Sequence, residues 1–105
     1  MKTSIRIEPP LQKTFLDDLS REYAGHHVKV SLMSSHIVAL RDLGEARFIG
    51  AWLEEIGAMA SIMVMLEMPD FYQLTHTVAN FTFLSWQGDT LFIEHPDGST
   101  ELIQF

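Results

Sequence analysis

The sequence predicts an α+β domain in which one N-terminal helix packs on a curved, mostly antiparallel meander, and three observations carry that prediction. Residues 9–23, opened by two prolines, repeat apolar side chains at helical spacing. From His27 onward the period changes to two, as strands with one buried face require. Turn-forming residues then interrupt the chain at short intervals, the pattern of successive hairpins.

Ser4-Ile5-Arg6-Ile7-Glu8 alternates polar and apolar residues and reads as a short strand. Pro9-Pro10 opens the helix, because a missing N–H costs nothing in a first turn. Leu11, Phe15, Leu16, Leu19 and Tyr23 share its apolar face, and Gly25 supplies a left-handed residue to end it. Val28, Val30 and Leu32 alternate with His27, Lys29 and Ser31 in the next strand. Ser34-Ser35 permits a tight turn into a partner beginning at His36, which sets His36 opposite Met33.

Residues 45–56 fit two descriptions: Phe48, Ile49, Trp52, Leu53 and Ile56 suit a helix, whereas 48–53 also suits a buried strand. Propensity leans to helix, and Gly50 weakens it. Ser61-Ile62-Met63-Val64-Met65-Leu66 is apolar at both parities, so as a strand it is expected to be covered on both faces. Strand-like segments follow at 72–78, 81–86 and 90–95, with a turn at Gln87-Gly88-Asp89. At Pro96-Asp97-Gly98, a three-residue loop with Gly98 left-handed sets Glu94 against Thr100 and Phe92 against Leu102. A two-residue loop would oppose Glu94 and Glu101, which like-charge repulsion disfavours. One helix covers only one face of such a sheet, so the sheet must curl into a barrel-like shape or pair with another subunit.

Leu74-Thr75-His76-Thr77-Val78, Ala39-Leu40-Arg41-Asp42 and the closing Asp97-Gly98-Ser99 hairpin ending in Phe105 resemble a family of small uncharacterised bacterial proteins, a domain of unknown function. The resemblance covers about two thirds of the chain. It implies a strand at 48–53 and supplies no activity and no catalytic residue. The chain departs from the family's pattern at Phe81, where proline is expected, and in its more apolar 52–60 region.

The 105 residues, 47% hydrophobic and 20% charged, suit a single domain spanning residues 1–105. Without cysteine, neither disulfides nor thiolate–zinc sites hold it together. Arg6 and Glu8 interrupt the apolar run a secretory signal needs, and the apolar stretch 58–66 is half a membrane span. A cytoplasmic location and no membrane partner are therefore expected. The net charge of −7, with no Lys or Arg after Arg47, speaks against nucleic acid as a partner.

Five histidines, at 26, 27, 36, 76 and 95, form no metal-ligand spacing, so no metal and no cofactor are expected. Thr75-His76 near Asp70 and Tyr72 is the most chemical-looking spot, which makes His76 the one candidate for catalysis. In a strand, however, Thr75 and Thr77 share one face, and Leu74, His76 and Val78 share the other. The expected role of His76 is structural, its ring bonded to a backbone carbonyl. Asp17-Asp18 and Glu54-Glu55 read as solvated charge, and the chain carries no nucleotide-binding or hydrolase motif. Met59, Met63, Met65 and Met68 suit a core or an adaptable binding surface.

The leading expectation is a non-enzymatic module that self-associates as a homodimer or binds a protein partner through its apolar sheet. The alternative is a small barrel holding an apolar molecule among Phe48, Trp52, Met63, Met65, Phe83 and Trp86. An enzyme using His76 stands third.

Overall fold

The computed structural model describes residues 4–34, 40–70 and 72–105. Its elements are β1 (Ser4–Arg6), α1 (Pro9–Tyr23), β2 (His27–Met33), β3 (Leu40–Ile56), β4 (Met59–Glu67), β5 (Gln73–Ala79), β6 (Phe83–Gln87), β7 (Thr90–Glu94) and β8 (Thr100–Gln104). The eight strands form one antiparallel sheet in the order β1-β6-β7-β8-β2-β3-β4-β5, an open sheet with β1 and β5 at its edges. One helix on a curved antiparallel sheet is thus the observed architecture.

α1 occupies the span its two prolines and apolar spacing predict. Leu16 and Leu19 are buried, with Phe15 and Tyr23 packed against the core. Leu11 is not part of that face; it points to solvent, and Gln12 is buried instead, its Nε2 donating to the Ile7 carbonyl at 3.2 Å. Gly25, at φ +89°, ends the helix in the conformation a side chain would resist. Its N–H donates to the Phe48 carbonyl at 2.7 Å, which ties the helix exit to β3.

Residues 45–56 are strand, not the helix to which propensity leans, so of the two descriptions the buried strand at 48–53 is the one adopted. β3 spans 17 residues and is shared between two neighbours: its first half pairs with β2 and its second with β4. Two irregularities bend it. Leu43 is passed over where Val30 pairs with Gly44 and Ser31 with Asp42, and Ile49 is passed over between the Phe48–Leu66 and Gly50–Met65 pairs. Such bulges add local twist and bend a strand. Beyond Arg47, β3 has lost β2 as a neighbour, and Ser20 of α1 takes its place. The Ala51 N–H donates to Ser20 Oγ at 2.8 Å, and the hydroxyl lies 2.8 Å from both the Ala51 and Leu16 carbonyls.

Side chains of alternating parity then separate into a concave and a convex face. Val28, Val30, Ala46, Phe48, Ala51, Ile62, Val64, Leu66, Val78, Leu84, Leu91, Ile93 and Ile103 form the core on the concave side, with α1 laid across it. Phe15, Tyr23, Trp86, Phe48 and Phe105 meet there in a chain of ring contacts with centroids 4.9–6.0 Å apart. Contacts of this kind add to the ~25 cal/mol per Å² that apolar burial contributes.

β4 is covered on one face only. Ile62, Val64 and Leu66 are buried, while Met63 and Met65 remain half-buried on the convex side. Met33 pairs with Leu40; the suggested Ser34-Ser35 turn and His36 lie, from Ser35 on, outside the described residues. The last hairpin follows the register expected of a three-residue loop, with Glu94 opposite Thr100 and Phe92 opposite Leu102. Gly98 has φ +88°, and the Asp97 carboxylate accepts the Ser99 N–H at 2.9 Å and hydroxyl at 2.6 Å. Those two bonds hold the Asp97 carboxyl below the usual carboxylate range.

Candidate functional site

The register of the final hairpin has a consequence for β8. With Glu94 on Thr100, Glu101 falls opposite Ile93, at the parity of Leu91, Ile93 and Ile103, and opposite Leu32 on its other side. A carboxylate is thereby placed on the apolar face of the sheet. It is 1% exposed.

Two imidazoles reach it. His76 stands on β5 opposite Val64, on the concave face with Val78, while Thr75 and Thr77 point the other way as strand geometry requires. Its Nε2 lies 2.6 Å from Glu101 Oε1. β5 and β8 are separated by β4, β3 and β2, four inter-strand steps, or roughly 19 Å in a flat sheet. Only a strong curl brings them into contact. The near-isometric extents of 35 × 31 × 31 Å reflect that curl.

His95, one residue beyond β7, supplies the second ring, its Nε2 3.9 Å from Glu101 Oε2. His76 Nε2, His95 Nε2 and Glu101 Oε2 are all buried, and none has an aligned hydrogen bond. The short His76–Glu101 approach is an ion pair once the ring is protonated. The Glu101 carboxylate, accepting from the ring and attracting it electrostatically, raises the His76 pKa against the opposing effect of burial.

The cluster borders an opening. A cavity of about 110 Å³ is lined by Val30, Ala46, Leu66, Met68 and Leu74, with Glu101 and His76 as its buried polar wall and Glu45 beside them. The His76 side chain is 37% exposed although its Nε2 is buried, so the rest of the ring faces the mouth. An imidazole oriented by a buried carboxylate is the arrangement a general base requires, and a buried carboxylate is also an acceptor for a ligand's N–H or O–H.

Comparisons with family models, with curated proteins and with solved structures find no match for this chain. The cup and its residues therefore rest on their own geometry.

The residues singled out from sequence are placed as follows. His76 belongs to the cup, but its partner is Glu101 rather than a backbone carbonyl, and Asp70 and Tyr72 are exposed and absent from the cup lining. Phe48 is fully buried, and Trp86 is packed beneath α1. Trp52, Met63 and Met65 lie on the convex face, where Trp52 pairs with Met63. Phe83 lies on that face of β6, with the Arg6 guanidinium 4.7 Å above its ring. These six residues do not surround one lumen, because strand parity divides them between two faces. Among the described residues, no three or more His, Cys, Asp or Glu side chains are grouped to hold a metal ion, and no helix is long and apolar enough to cross a membrane.

Glu101 was missed from the sequence because it was weighed only as a like charge against Glu94. Its signal was its parity: once Glu94 faces Thr100, residues 101 and 103 must share the face of Leu91 and Ile93. His95 carries no comparable signal, being one of five histidines without ligand spacing and lying one residue beyond β7.

Proposed function

We propose that the protein binds a small molecule in the cup at the open end of its curled sheet, with the Glu101–His76 pair as the polar anchor. The observation that carries this reading is the buried carboxylate on the wall of a mainly apolar cavity. A fold gains nothing from burying Glu101 that a leucine would not supply, since ion pairs replaced by apolar side chains are commonly neutral or stabilising changes. The cup is somewhat smaller than the ~150 Å³ cavity that accommodates benzene, which suits a ligand of a few heavy atoms. The Leu74-Thr75-His76 element, through which the chain resembles the uncharacterised bacterial family, is on this reading the device that delivers the imidazole. The test is a fragment screen followed by ¹H–¹⁵N correlation spectra. Shifts converging on Val30, Ala46, Leu74, His76 and Glu101 are expected; a library that moves none of them refutes the reading.

A second reading, self-association into a homodimer, is favoured by the convex face. Trp52 (36% exposed), Ile56 (73%) and Met59 (54%) stand there with half-buried Met63 and Met65 beside the edge strand β5. The occupant fitted to this patch is a second copy of the chain, because an edge strand next to an apolar face can be extended by its own counterpart. Sedimentation should then show a dimer that Met63→Lys dissociates, and a strict monomer at high concentration refutes it.

A further inference from the structure

The charges around the cup select among small molecules. We infer that its ligand is a small primary amine, whose ammonium group donates to Glu101 while its apolar body rests on Val30, Ala46, Leu66 and Leu74. This rests on the cup being a ligand site and names the class of ligand it takes.

Four observations lead there. Glu101 Oε2 is buried without a hydrogen-bond partner, an unsatisfied acceptor on a residue that lines the cavity. The other acidic residue lining the cup is Glu45, and among the described residues no Lys or Arg lines it. The cation already beside Glu101 is a histidine. An arginine in that place would hold its charge at every physiological pH, whereas an imidazolium gives up its proton near neutrality and frees the carboxylate for another cation. The whole chain, at −7, also favours the approach of a cation over that of an anion.

The exchange has a direction. Glu101 from β8 faces His76, His95 from beyond β7 approaches the same carboxylate, and Glu45 of β3 is the other acidic residue lining the cup; the Arg41 backbone lies in the same row, opposite Leu32. With His76 protonated, Glu101 already has its counter-charge, and an ammonium group must compete with it. Once His76 is neutral, Glu101 is unbalanced and the ammonium group restores the charge. Amine binding therefore strengthens as pH rises through the titration of His76, and it releases a proton from His76 where that ring was charged.

The experiment uses three four-carbon probes of equal bulk, n-butylamine, 1-butanol and butyrate, titrated into the full chain between pH 5.5 and 8.5. Binding is followed by correlation spectra and by the His76 ring-proton shift. The expected result is binding of butylamine at least tenfold tighter than butanol, no binding of butyrate, and butylamine affinity at least tenfold higher at pH 8.5 than at 5.5. Glu101→Gln, checked for folding by circular dichroism, should remove the preference for butylamine over butanol. The pH profile needs no variant and tests the same inference if Glu101→Gln does not fold. Butanol or butyrate binding as well as butylamine, or a flat pH profile, overturns the amine assignment and leaves the cup standing. Cup resonances that none of the probes moves overturn both.

Discussion

Replacing Glu101 by leucine should stabilise the fold, and by an amount that depends on pH. The side chain it replaces is 1% exposed, and its cross-strand neighbours are Ile93 and Leu32. An ionised carboxylate there has lost its hydration, an effective penalty of several kcal/mol in a protein interior. What offsets the penalty is the attraction of a single imidazolium, screened because more than a third of the His76 side chain is in solvent. Leucine fills a similar volume among aliphatic neighbours and leaves His76 free to go neutral and stay hydrated at the mouth. A gain of about 1–2 kcal/mol at pH 8 is the expected balance, within the range measured for such replacements. For a domain of this length that corresponds to a rise in Tm of roughly 4–15 °C.

The sign with pH follows from His76, whose pKa is raised in the folded state above its ordinary 6.5. Its stabilising contribution is complete below pH 6.5 and fades as pH rises through the raised value. Wild type therefore loses stability from pH 6 to 8.5 relative to Glu101→Leu, and the advantage of the variant grows over that interval. Urea unfolding of both proteins at pH 6.0 and 8.5 measures it. A variant less stable than wild type by more than about 2 kcal/mol at pH 8, or an advantage that does not change with pH, would refute the view of Glu101 as a residue kept for binding rather than for stability.

Three further outcomes test the fold that builds the cup. Ser20→Ala removes the acceptor of the Ala51 N–H where β3 has outrun β2, and should cost about 1–3 kcal/mol in urea titrations. Phe48→Ala empties a fully buried position against Phe105 and should cost ~3–5 kcal/mol, enough to broaden or abolish the thermal transition. Gly98→Ala forces a side chain into φ +88° and should cost about 1–2 kcal/mol, with amide exchange accelerated first at Thr100 and Glu101.

Much of this architecture is legible in the sequence because it is local. Pro9-Pro10, the alternation from Val28 to Leu32 and the Asp97-Gly98 turn each act through neighbouring residues, and α1, β2 and the final hairpin stand where those signals put them. The exposure of Leu11 and burial of Gln12 were not legible, since they depend on where the helix lands on the sheet. Residues 45–56 misled on propensity for a related reason: paired to β2 at one end and β4 at the other, their conformation is fixed by partners rather than by composition. The candidate site was half legible. His76 stood out beside Thr75, but Glu101 lies 25 positions further on and meets it only because the intervening strands curl. No spacing rule reaches across three strands.

The place of β8 between β7 and β2 also sets an order of events during synthesis. β2 to β5 can pair as a meander while the chain is still growing, each strand meeting the one just made. The β8 side of β2 stays bare until Thr100–Gln104 emerges, after the seven other described strands, and the same few residues carry the carboxylate of the cup. Completion of the sheet and completion of the binding site are thus one step. Until then the chain holds a curled half-sheet with an open hydrogen-bonding edge, the form most exposed to chaperones and to its own kind.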